Sequence, residues 1–488
     1  MRGSFQRVLF GLALFARCIG SEAQVTWQHT YGGFGIDQGH SGQQTADGGF
    51  IVCGSTGSFG AGGGDVYLLK LDSLGAIQWS NCYGTVAPDL GWSVLTLGTS
   101  GYLVCGTTFS MTTGYDGFLA LIDTDGVLVW WNAVGTVEWD LAYDVVEMID
   151  GFVVVGQSFS GAGSGDVWVV RTDLSGDSLW TKTYGTDLAE EARCVLVTPT
   201  GDIVIVGTAT QADSTTQAII LKLTENGEML WQTSIGGSGD ETGFGVTMTG
   251  DTAFVIGGGT SSMVSTLGMF TAKVDTAGNE VWQRNSASGT EDWEGHEIIS
   301  LSDGRLAMAG YSGGIGTGGK DAYLMFTDPD GYWVFGPTFG GLDDEEFWSV
   351  DTTSDGGYIC VGTTTSYGPG PSAIFVAKTD GDTLNSAVIE IFDPLPVVEH
   401  QAVKRFSVFP NPASSGLFVN IVVEDQTARA ASMTLELIGM DGRPIYRQAS
   451  VGGMQGFTCP SAAQGSYLLV LRCLGQTPLR VLLAIEGG

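Results

Sequence analysis

The side chains placed most regularly for chemistry in this sequence are aspartates that recur at a nearly constant interval. Six precede the first predicted strand of a repeat, and four precede the third. They are Asp37, Asp89, Asp140, Asp240, Asp292, Asp343, Asp65, Asp116, Asp166 and Asp321. Carboxylates in repeated loops can contact a partner, cap local turns through Asx-type hydrogen bonds, or supply the oxygen ligands that calcium prefers. The sequence leaves all three alternatives open.

Other reactive residue types form no recognisable catalytic set. The four histidines are His29, His40, His296 and His400, and no two of them have metal-ligand spacing. No serine or cysteine can be assigned a general base from sequence. Glycine clusters such as Gly60–Gly64 lack the lysine and the helix of a phosphate-binding loop. We therefore predict no catalytic residues, no metal site defined by motif and no cofactor, with calcium the cation that the loops could bind.

The acidic charge is concentrated in the middle of the chain. The net charge is −33 over 488 residues, and residues 1–23 and 402–488 each carry +2, which leaves −37 for residues 24–401. A surface of that sign repels phosphate backbones, so nucleic acid is excluded as a partner. Solubility alone would also account for the charge, and cationic proteins or neutral glycans remain possible partners.

A repeat of about 51 residues organises this acidic region. Successive gaps between its marker tryptophans are 50 to 52 residues. These are Trp27, Trp79, Trp130, Trp180, Trp231, Trp282 and Trp333. A period held so closely over seven copies is typical of a repeat architecture.

Each copy contains four strand-like segments. The second segment ends in glycine in all seven copies, at Gly54, Gly106, Gly156, Gly207, Gly257, Gly310 and Gly362. The third is apolar at nearly every position, as in VYLLKL and AIFVAK, which indicates a strand covered on both faces. An Asp-x-x-Gly turn, typical of type I, joins it to the fourth segment with the tryptophan. We expect these turn aspartates to be structural.

Four antiparallel strands per copy in seven copies predict an all-β, seven-bladed propeller over residues 24–390. Because the chain begins with a lone fourth segment at Trp27, we favour this N-terminal strand as the one that completes the last blade. Asp382–Ala387 aligns with the same segment but has Asn385 in place of tryptophan, so it stays an alternative. The Asp-x-x-Gly-x-x-x-Trp pattern resembles the tryptophan motif of quinoprotein-type propellers, and the whole repeat is similar to glycine-rich propeller repeats of bacterial surface proteins.

In such a propeller the ten recurrent aspartates lie on one face, together with the longer and less regular loops. We predict that this looser face binds a protein or a glycan and that the protein is not an enzyme. The alternative is a secreted hydrolase or lyase acting on polysaccharide, whose site would break the symmetry in one or two blades. A purely structural role in a surface layer cannot be separated from the first prediction by sequence.

The N-terminus predicts export. Arg2 and Arg7 precede an apolar run from Val8 to Ala16, and small residues precede a cleavage point after Ala23, so residues 1–23 are predicted to be a signal peptide. Arg17 before Cys18 disfavours the lipoprotein alternative. No other run approaches the length needed to span a bilayer. Removal of the signal leaves seven cysteines, of which Cys459 and Cys473 could form a disulfide.

The composition changes after residues 391–404, which are predicted to be a linker because they contain two prolines and no repeat pattern. Three short blocks follow in order: Pro410-Asn411-Pro412, Asp441-Gly442-Arg443 and Gly465-Ser466-Tyr467. With the strand-like segments around them, residues 405–488 resemble the type A C-terminal sorting domain of the type IX secretion system. One departure is Arg480, where the family commonly has lysine.

That resemblance implies a small immunoglobulin-like β-sandwich and transport across the outer membrane by the type IX machinery. It also implies that the domain is often removed when the protein is attached to surface lipopolysaccharide. The expected location is therefore extracellular or on the outer-membrane surface.

Overall fold

The computed structural model describes residues 26–111, 114–136, 138–160, 164–262, 266–286, 291–316 and 318–381 with their side chains. Between residues 388 and 486 it describes the backbones of ten further strands.

The strands between residues 27 and 379 form seven sheets of four antiparallel strands, arranged as the blades of a propeller, and the fourth strand of the sixth sheet is divided into two short strands. The all-β, seven-bladed architecture predicted from the repeat is confirmed. The chain begins with β1 (Trp27–Gly32), which is followed in blade 1 by β2 (Asp37–Gln44), β3 (Phe50–Thr56), β4 (Asp65–Leu71) and β5 (Ile77–Gly84), and in blade 2 by β6 (Asp89–Thr96), β7 (Tyr102–Ser110), β8 (Gly114–Ile122) and β9 (Leu128–Val134). Blade 3 contains β10 (Asp140–Met148), β11 (Gly151–Ser158), β12 (Asp166–Asp173) and β13 (Ser178–Tyr184), and blade 4 contains β14 (Glu190–Val197), β15 (Ile203–Thr210), β16 (Thr216–Leu223) and β17 (Met229–Ile235). Blade 5 contains β18 (Glu241–Met248), β19 (Phe254–Thr260), β20 (Gly268–Val274) and β21 (Glu280–Ser286), blade 6 contains β22 (Trp293–Ser300), β23 (Leu306–Gly313), β24 (Lys320–Thr327), β25 (Trp333–Phe335) and β26 (Thr338–Phe339), and blade 7 contains β27 (Glu345–Thr352), β28 (Tyr358–Thr364) and β29 (Ala373–Thr379).

The N-terminal strand closes the ring. Strand β1 pairs antiparallel with β29 as the fourth strand of blade 7, with Trp27 opposite Lys378 and Tyr31 opposite Ile374. The favoured prediction for closure is therefore confirmed, and the alternative segment 382–387 lies outside the described residues. A fifth strand, β30 (Val388–Phe392), pairs in parallel with β1 on its other edge.

The hydrophobic core consists of clusters between adjacent blades. One cluster combines Val153 and Val169 of blade 3 with Ile205 and Leu221 of blade 4, and each of the other junctions has an equivalent cluster. Strands β3 and β4 are buried at all of their positions because a neighbouring blade covers each face of the sheet. This explains why the third segments are apolar without alternation.

The recurrent tryptophan and the Asp-x-x-Gly turn stabilise each other across a blade junction. Trp231 donates from Nε1 to the carbonyl oxygen of Thr276 in the next blade, at 3.2 Å. In the same turn Gly278 has a φ of 89°, and a β-carbon on it would lie 2.8 Å from the Trp231 ring. The turn therefore needs glycine both for its conformation and for this close approach. The turn aspartate, Asp275, accepts hydrogen bonds from the backbone N–H of Ala277 and Asn279, so its role is structural as predicted.

The C-terminal strands are described by backbone pairing alone. Strand β31 (Val398–Gln401), inside the predicted linker, pairs in parallel with the outer edge of β5. Two further sheets follow, one of three strands and one of five. Their strands are β32 (Phe406–Phe409), β33 (Ala413–Ser414), β34 (Phe418–Val423), β35 (Ser432–Gly439), β36 (Pro444–Val451), β37 (Gly456–Thr458), β38 (Gly465–Cys473) and β39 (Leu479–Glu486).

The sorting-domain blocks fall largely outside the described residues. This applies to residues 410–412 and 441–443, whereas Gly465 and Tyr467 begin β38. The sandwich fold and the sorting function of this region stay predictions, as does the signal peptide, which also lies outside the described residues. Where the structure describes the chain, no helix is long and apolar enough to cross a membrane.

Candidate functional site in the axial channel

The ten predicted aspartates lie at the expected loops, but most of them are not exposed. Asp116 is half-buried, and Asp240, Asp292 and Asp343 are exposed. The remaining six are buried, and they are Asp37, Asp65, Asp89, Asp140, Asp166 and Asp321. Burial leaves these six little surface to offer a partner, and binding through this set stays a prediction.

Part of this set belongs to a structural network at the start of each blade. In six blades a buried carboxylate occupies the first position of the innermost strand, and we call these residues the anchor carboxylates. They are Asp37, Asp89, Asp140, Glu190, Glu241 and Glu345. Each accepts a hydrogen bond from the backbone N–H four residues earlier. The anchor carboxylates therefore hold the connection that enters each blade.

Asp37 shows how completely such an anchor is satisfied. Its carboxylate accepts hydrogen bonds from the N–H of Gly33 at 2.7 Å and from the hydroxyls of Thr56 and Ser58. The anchor position holds Glu241 in blade 5 and Glu345 in blade 7. Glu241 directly follows Asp240, and Glu345 lies two residues after Asp343. In blade 6 the position is Trp293, which is also buried.

Seven side chains, one from each innermost strand, form a belt around the channel axis that was not predicted from the sequence. We call it the channel belt. Its members are His40, Trp92, Tyr143, Arg193, Phe244, His296 and Trp348. Six of them lie at the irregular position of their strand pairing, where a β-bulge adds a residue, and His296 lies in the longer irregular stretch of β22. The bulges therefore turn one side chain per blade toward the axis.

The channel belt is continuous, because each member contacts the next around the ring. His40 stacks on Trp92 at 4.2 Å between ring centroids, and His296 stacks on Trp348 at 4.0 Å. The Arg193 guanidinium lies 4.3 Å from the Tyr143 ring and 5.6 Å from the Phe244 ring. The remaining contacts join Trp92 to Tyr143, Phe244 to His296, and Trp348 to His40. The belt narrows the channel to a cavity of about 110 Å³.

Both histidines of the belt also link neighbouring blades. Nδ1 of His40 lies 2.7 Å from the carbonyl oxygen of Gly91, and Nδ1 of His296 lies 2.8 Å from that of Phe347. A carbonyl only accepts, so Nδ1 carries the proton in both rings. Burial lowers the pKa of His40 to about 4, and this ring is therefore neutral at pH 7.

The residues that follow the belt along each strand connect the blades and include two carboxyl groups. Asp144 accepts hydrogen bonds from the Ser93 hydroxyl and the N–H of Val195, both at 2.9 Å. Glu297 accepts from the N–H of Val350 at 2.9 Å. Desolvation raises the pKa of Asp144 and raises that of Glu297 to about 8, with a further contribution from their mutual repulsion at Glu297. These carboxyl groups thus stabilise the channel wall.

Three glutamates lie two residues before the belt members of their own strands, nearer to the looser face. We call Glu191, Glu294 and Glu346 the mouth glutamates. Glu191 pairs with Arg193 through two hydrogen bonds of 2.8 and 3.0 Å. Glu346 accepts from Nε1 of Trp348 at 2.9 Å, and Oε2 of Glu294 lies 3.9 Å from Nε2 of His296. The belt thus carries carboxylates on its looser-face side.

Blade 6 breaks the symmetry of the repeat beside this mouth. Tyr311 occupies a strand position that holds a small or polar residue in the other blades, and its hydroxyl lies 3.5 Å from Oε2 of Glu294. The Lys320 ammonium lies 4.0 Å from the Tyr311 ring. Burial raises the pKa of Tyr311 well above its ordinary value, and the negative charges of Glu294 and Glu346 raise it further. Tyr311 therefore stays a neutral hydrogen-bond donor.

Within the described ranges, no group of three or more His, Cys, Asp or Glu side chains is arranged to bind a metal. The described cysteines, including Cys53, Cys105 and Cys360 in matching strands, are free and largely buried. Burial raises the pKa of these three thiols, so they stay protonated and pack as small hydrophobic residues.

No family model matches the chain, and no curated protein matches its sequence. Solved structures with similarity include a protein of unknown function from Bacteroides caccae, at 14% identity and a TM-score of 0.38, covering 57% of this chain and 92% of that one. The extracellular domain of a putative one-component system from B. thetaiotaomicron has 10% identity and a TM-score of 0.40, covering 92% of this chain and 56% of that one. Puromycin hydrolase has 12% identity and a TM-score of 0.46, covering 92% of this chain and 60% of that one. Similarities this low carry no argument about activity or partner.

Proposed function

We propose that the protein is an exported, non-enzymatic propeller that binds a protein or glycan at the looser-face mouth of its channel. The observation that carries this proposal is the combination of an aromatic floor, the channel belt, with the three mouth glutamates on its looser-face side. Aromatic rings offer large rigid contact areas, and carboxylates add polar selectivity. A rigid scaffold with variable residues at one position per blade is a common basis for recognition.

The mouth favours a neutral or cationic group of the partner. The guanidinium of Arg193 is held in the belt by two aromatic rings and is already paired with Glu191. It is therefore not available to bind an anionic group of the partner. Among the ion pairs of the described residues, neither Glu294 nor Glu346 is paired with a lysine or arginine, and Glu294 has only the 3.9 Å contact with His296. A cationic or hydrogen-bond-donating group, such as an amine or a sugar hydroxyl, would complement them, whereas a carboxylate or phosphate would be repelled.

A double variant of the mouth tests the proposal. We expect Glu294→Gln with Trp348→Ala to weaken binding about tenfold or more, because it removes one charge and one aromatic anchor from the centre of the site. The measurement is a glycan array and a pull-down with the chain from residue 24 onward, followed by titration of whatever binds.

The matched control is Glu280→Gln with Trp333→Ala, two exposed residues on outer strands of blades 5 and 6. It should leave affinity unchanged. Failure to find any protein or glycan ligand, or equal affinities for both double variants, would count against binding at the mouth.

The second candidate function is a polysaccharide hydrolase or lyase, and the symmetry break at Glu294, His296 and Tyr311 favours it. The geometry of the mouth supports a catalytic function less well than it supports partner binding. A lyase base needs a pKa near the working pH, whereas the pKa of Tyr311 is raised, and Nδ1 of His296 is already used by Phe347. Activity on a polysaccharide panel that is abolished by Tyr311→Phe would reverse this order.

The export route is proposed from the two chain ends. The predicted signal peptide and the three sorting-domain blocks support secretion by the type IX system to the cell surface or medium. We expect the mature protein to begin at Gln24, and we expect deletion of residues 406–488 to leave it in the periplasm while the propeller still folds. N-terminal sequencing and cell fractionation check both outcomes. Surface display of the truncated chain would contradict the sorting proposal.

A further inference from the structure

At several blade junctions an anchor carboxylate meets a second acidic residue from the preceding blade. The second residue lies within the first three positions of the third strand of that blade. Four junctions contain such a pair, and we call them the acidic pairs. They are Asp65 with Asp89, Asp116 with Asp140, Asp166 with Glu190, and Asp321 with Glu345.

A glycine makes room for the two carboxylates at three of these junctions. At Gly84, a β-carbon would lie 2.8 Å from Oδ1 of Asp65 and 2.6 Å from Oδ2 of Asp89. At Gly185, Oε2 of Glu190 would lie 2.9 Å from the β-carbon and Oδ1 of Asp166 closer still. Gly340 has the same relation to Asp321 and Glu345. Oxygens of two carboxylates therefore converge on one small space in each case.

Asp166 lacks a hydrogen-bond donor in this space. Its side chain is 5% exposed, and its Oδ1 is buried without a hydrogen-bond partner among the described residues. Burial and the neighbouring charge of Glu190 raise the pKa of Asp166. Two carboxylates close together out of water repel each other unless a cation or a proton lies between them.

The junction between blades 4 and 5, called junction 4–5, has no second carboxylate and shows which group takes its place beside the anchor. There the third strand contributes Gln217, whose Nε2 donates to Oε2 of the anchor Glu241 at 2.9 Å. The amide supplies the positive end of a dipole where the acidic pairs supply another negative charge. The comparison indicates that a positive group fits the same position at the other four junctions, and the unpartnered Oδ1 of Asp166 points to such a group most directly.

We propose that each acidic pair binds one calcium ion between adjacent blades on the looser face. Calcium accepts carboxylate, carbonyl and water oxygens in flexible geometry, so two carboxylates with solvent and loop carbonyls can satisfy it. Magnesium demands a stricter octahedron and gives up its water less readily, which makes it the weaker candidate. The ions would join consecutive blades, and this role is independent of the partner bound at the channel mouth.

Calorimetric titration and thermal melting of the chain from residue 24 onward, stripped with EDTA, test the proposal. We expect about four calcium ions per chain and a melting temperature that rises by about 5 °C at millimolar calcium. Asp166→Asn, which copies the amide of junction 4–5, should lower the stoichiometry by one. Gln217→Glu creates a fifth acidic pair and should raise it by one.

The matched control is Asp240→Asn, which removes an exposed carboxylate beside junction 4–5 without touching an acidic pair, and it should leave the stoichiometry unchanged. Absence of calcium binding, or an unchanged stoichiometry in both Asp166→Asn and Gln217→Glu, would overturn the proposal. A melting temperature that is insensitive to calcium but falls as the pH rises would instead assign a shared proton to each pair.

Discussion

Tyr31→Ala is expected to lower the free energy of unfolding by about 3–5 kcal/mol, the range for removing a large buried aromatic side chain. Tyr31 is fully buried in the cluster that joins blades 7 and 1, and its hydroxyl donates to the carbonyl oxygen of Gly75 at 2.7 Å. It lies on β1, whose pairing with β29 closes the ring. The loss should therefore also release the closing strand, which urea unfolding and limited proteolysis would measure.

Tyr83→Ala separates the packing loss from the effect on closure. Tyr83 is 1% exposed and donates to the carbonyl oxygen of Gly126 at 2.8 Å, the same bond one blade further on. We expect a similar loss in stability from both variants. Cleavage near the N-terminus under native conditions should increase in Tyr31→Ala alone. Equal cleavage in the two variants would show that β1 is held mainly by its other contacts.

The propeller architecture could be predicted from sequence because every repeat must satisfy the same local packing and turn requirements. The tryptophan, the turn glycine and the apolar third strand recur since each blade must pack on the next in the same way. Even the closing strand followed from the register of Trp27. These features depend on neighbours within one period of the chain, so a single sequence is enough to reveal them.

The channel belt could not be recognised in the same way, because its members are not of one residue type. His40, Arg193 and Phe244 occupy equivalent positions, and they meet only after seven blades have closed into a ring. A signal was present nonetheless. Alignment of the first segments shows a large residue at one position in every copy, at intervals of 50 to 52 residues. Their large size at a channel-facing position would have indicated the belt.

The burial of the acidic residues could not be predicted from the sequence either. Asp240 and Glu241 are adjacent and chemically similar, yet only Glu241 is the anchor that accepts the Gly237 N–H at 2.8 Å. The choice depends on where β18 begins relative to its partner strand, to within one residue. Strand boundaries are the least reliable part of a sequence-based prediction.

Glu297→Gln is expected to remove part of the pH dependence of stability and to stabilise the protein above neutral pH. Desolvation, and less strongly Asp144 and Asp351, raise the pKa of Glu297 from 4.5 to about 8, so the folded protein retains a proton that the unfolded chain releases. The stabilisation from this proton is complete below about pH 4.5 and is lost as the pH rises through about 8. Between these values the free energy of unfolding should fall by up to about 1.4 kcal/mol for each pH unit.

The variant keeps an amide oxygen that can accept the Val350 N–H, so it should fold with the channel wall intact and show a shallower slope in urea unfolding across that pH range. Ser41→Ala is the matched control, since it removes from the same wall the hydroxyl that accepts the N–H of Val94 at 3.3 Å, without touching Glu297. It should lower stability by about 1 kcal/mol at every pH and leave the slope unchanged. If Glu297→Gln and wild type have the same slope, Glu297 is ionised in the folded protein, and solvent or a bound cation in the channel must stabilise its charge.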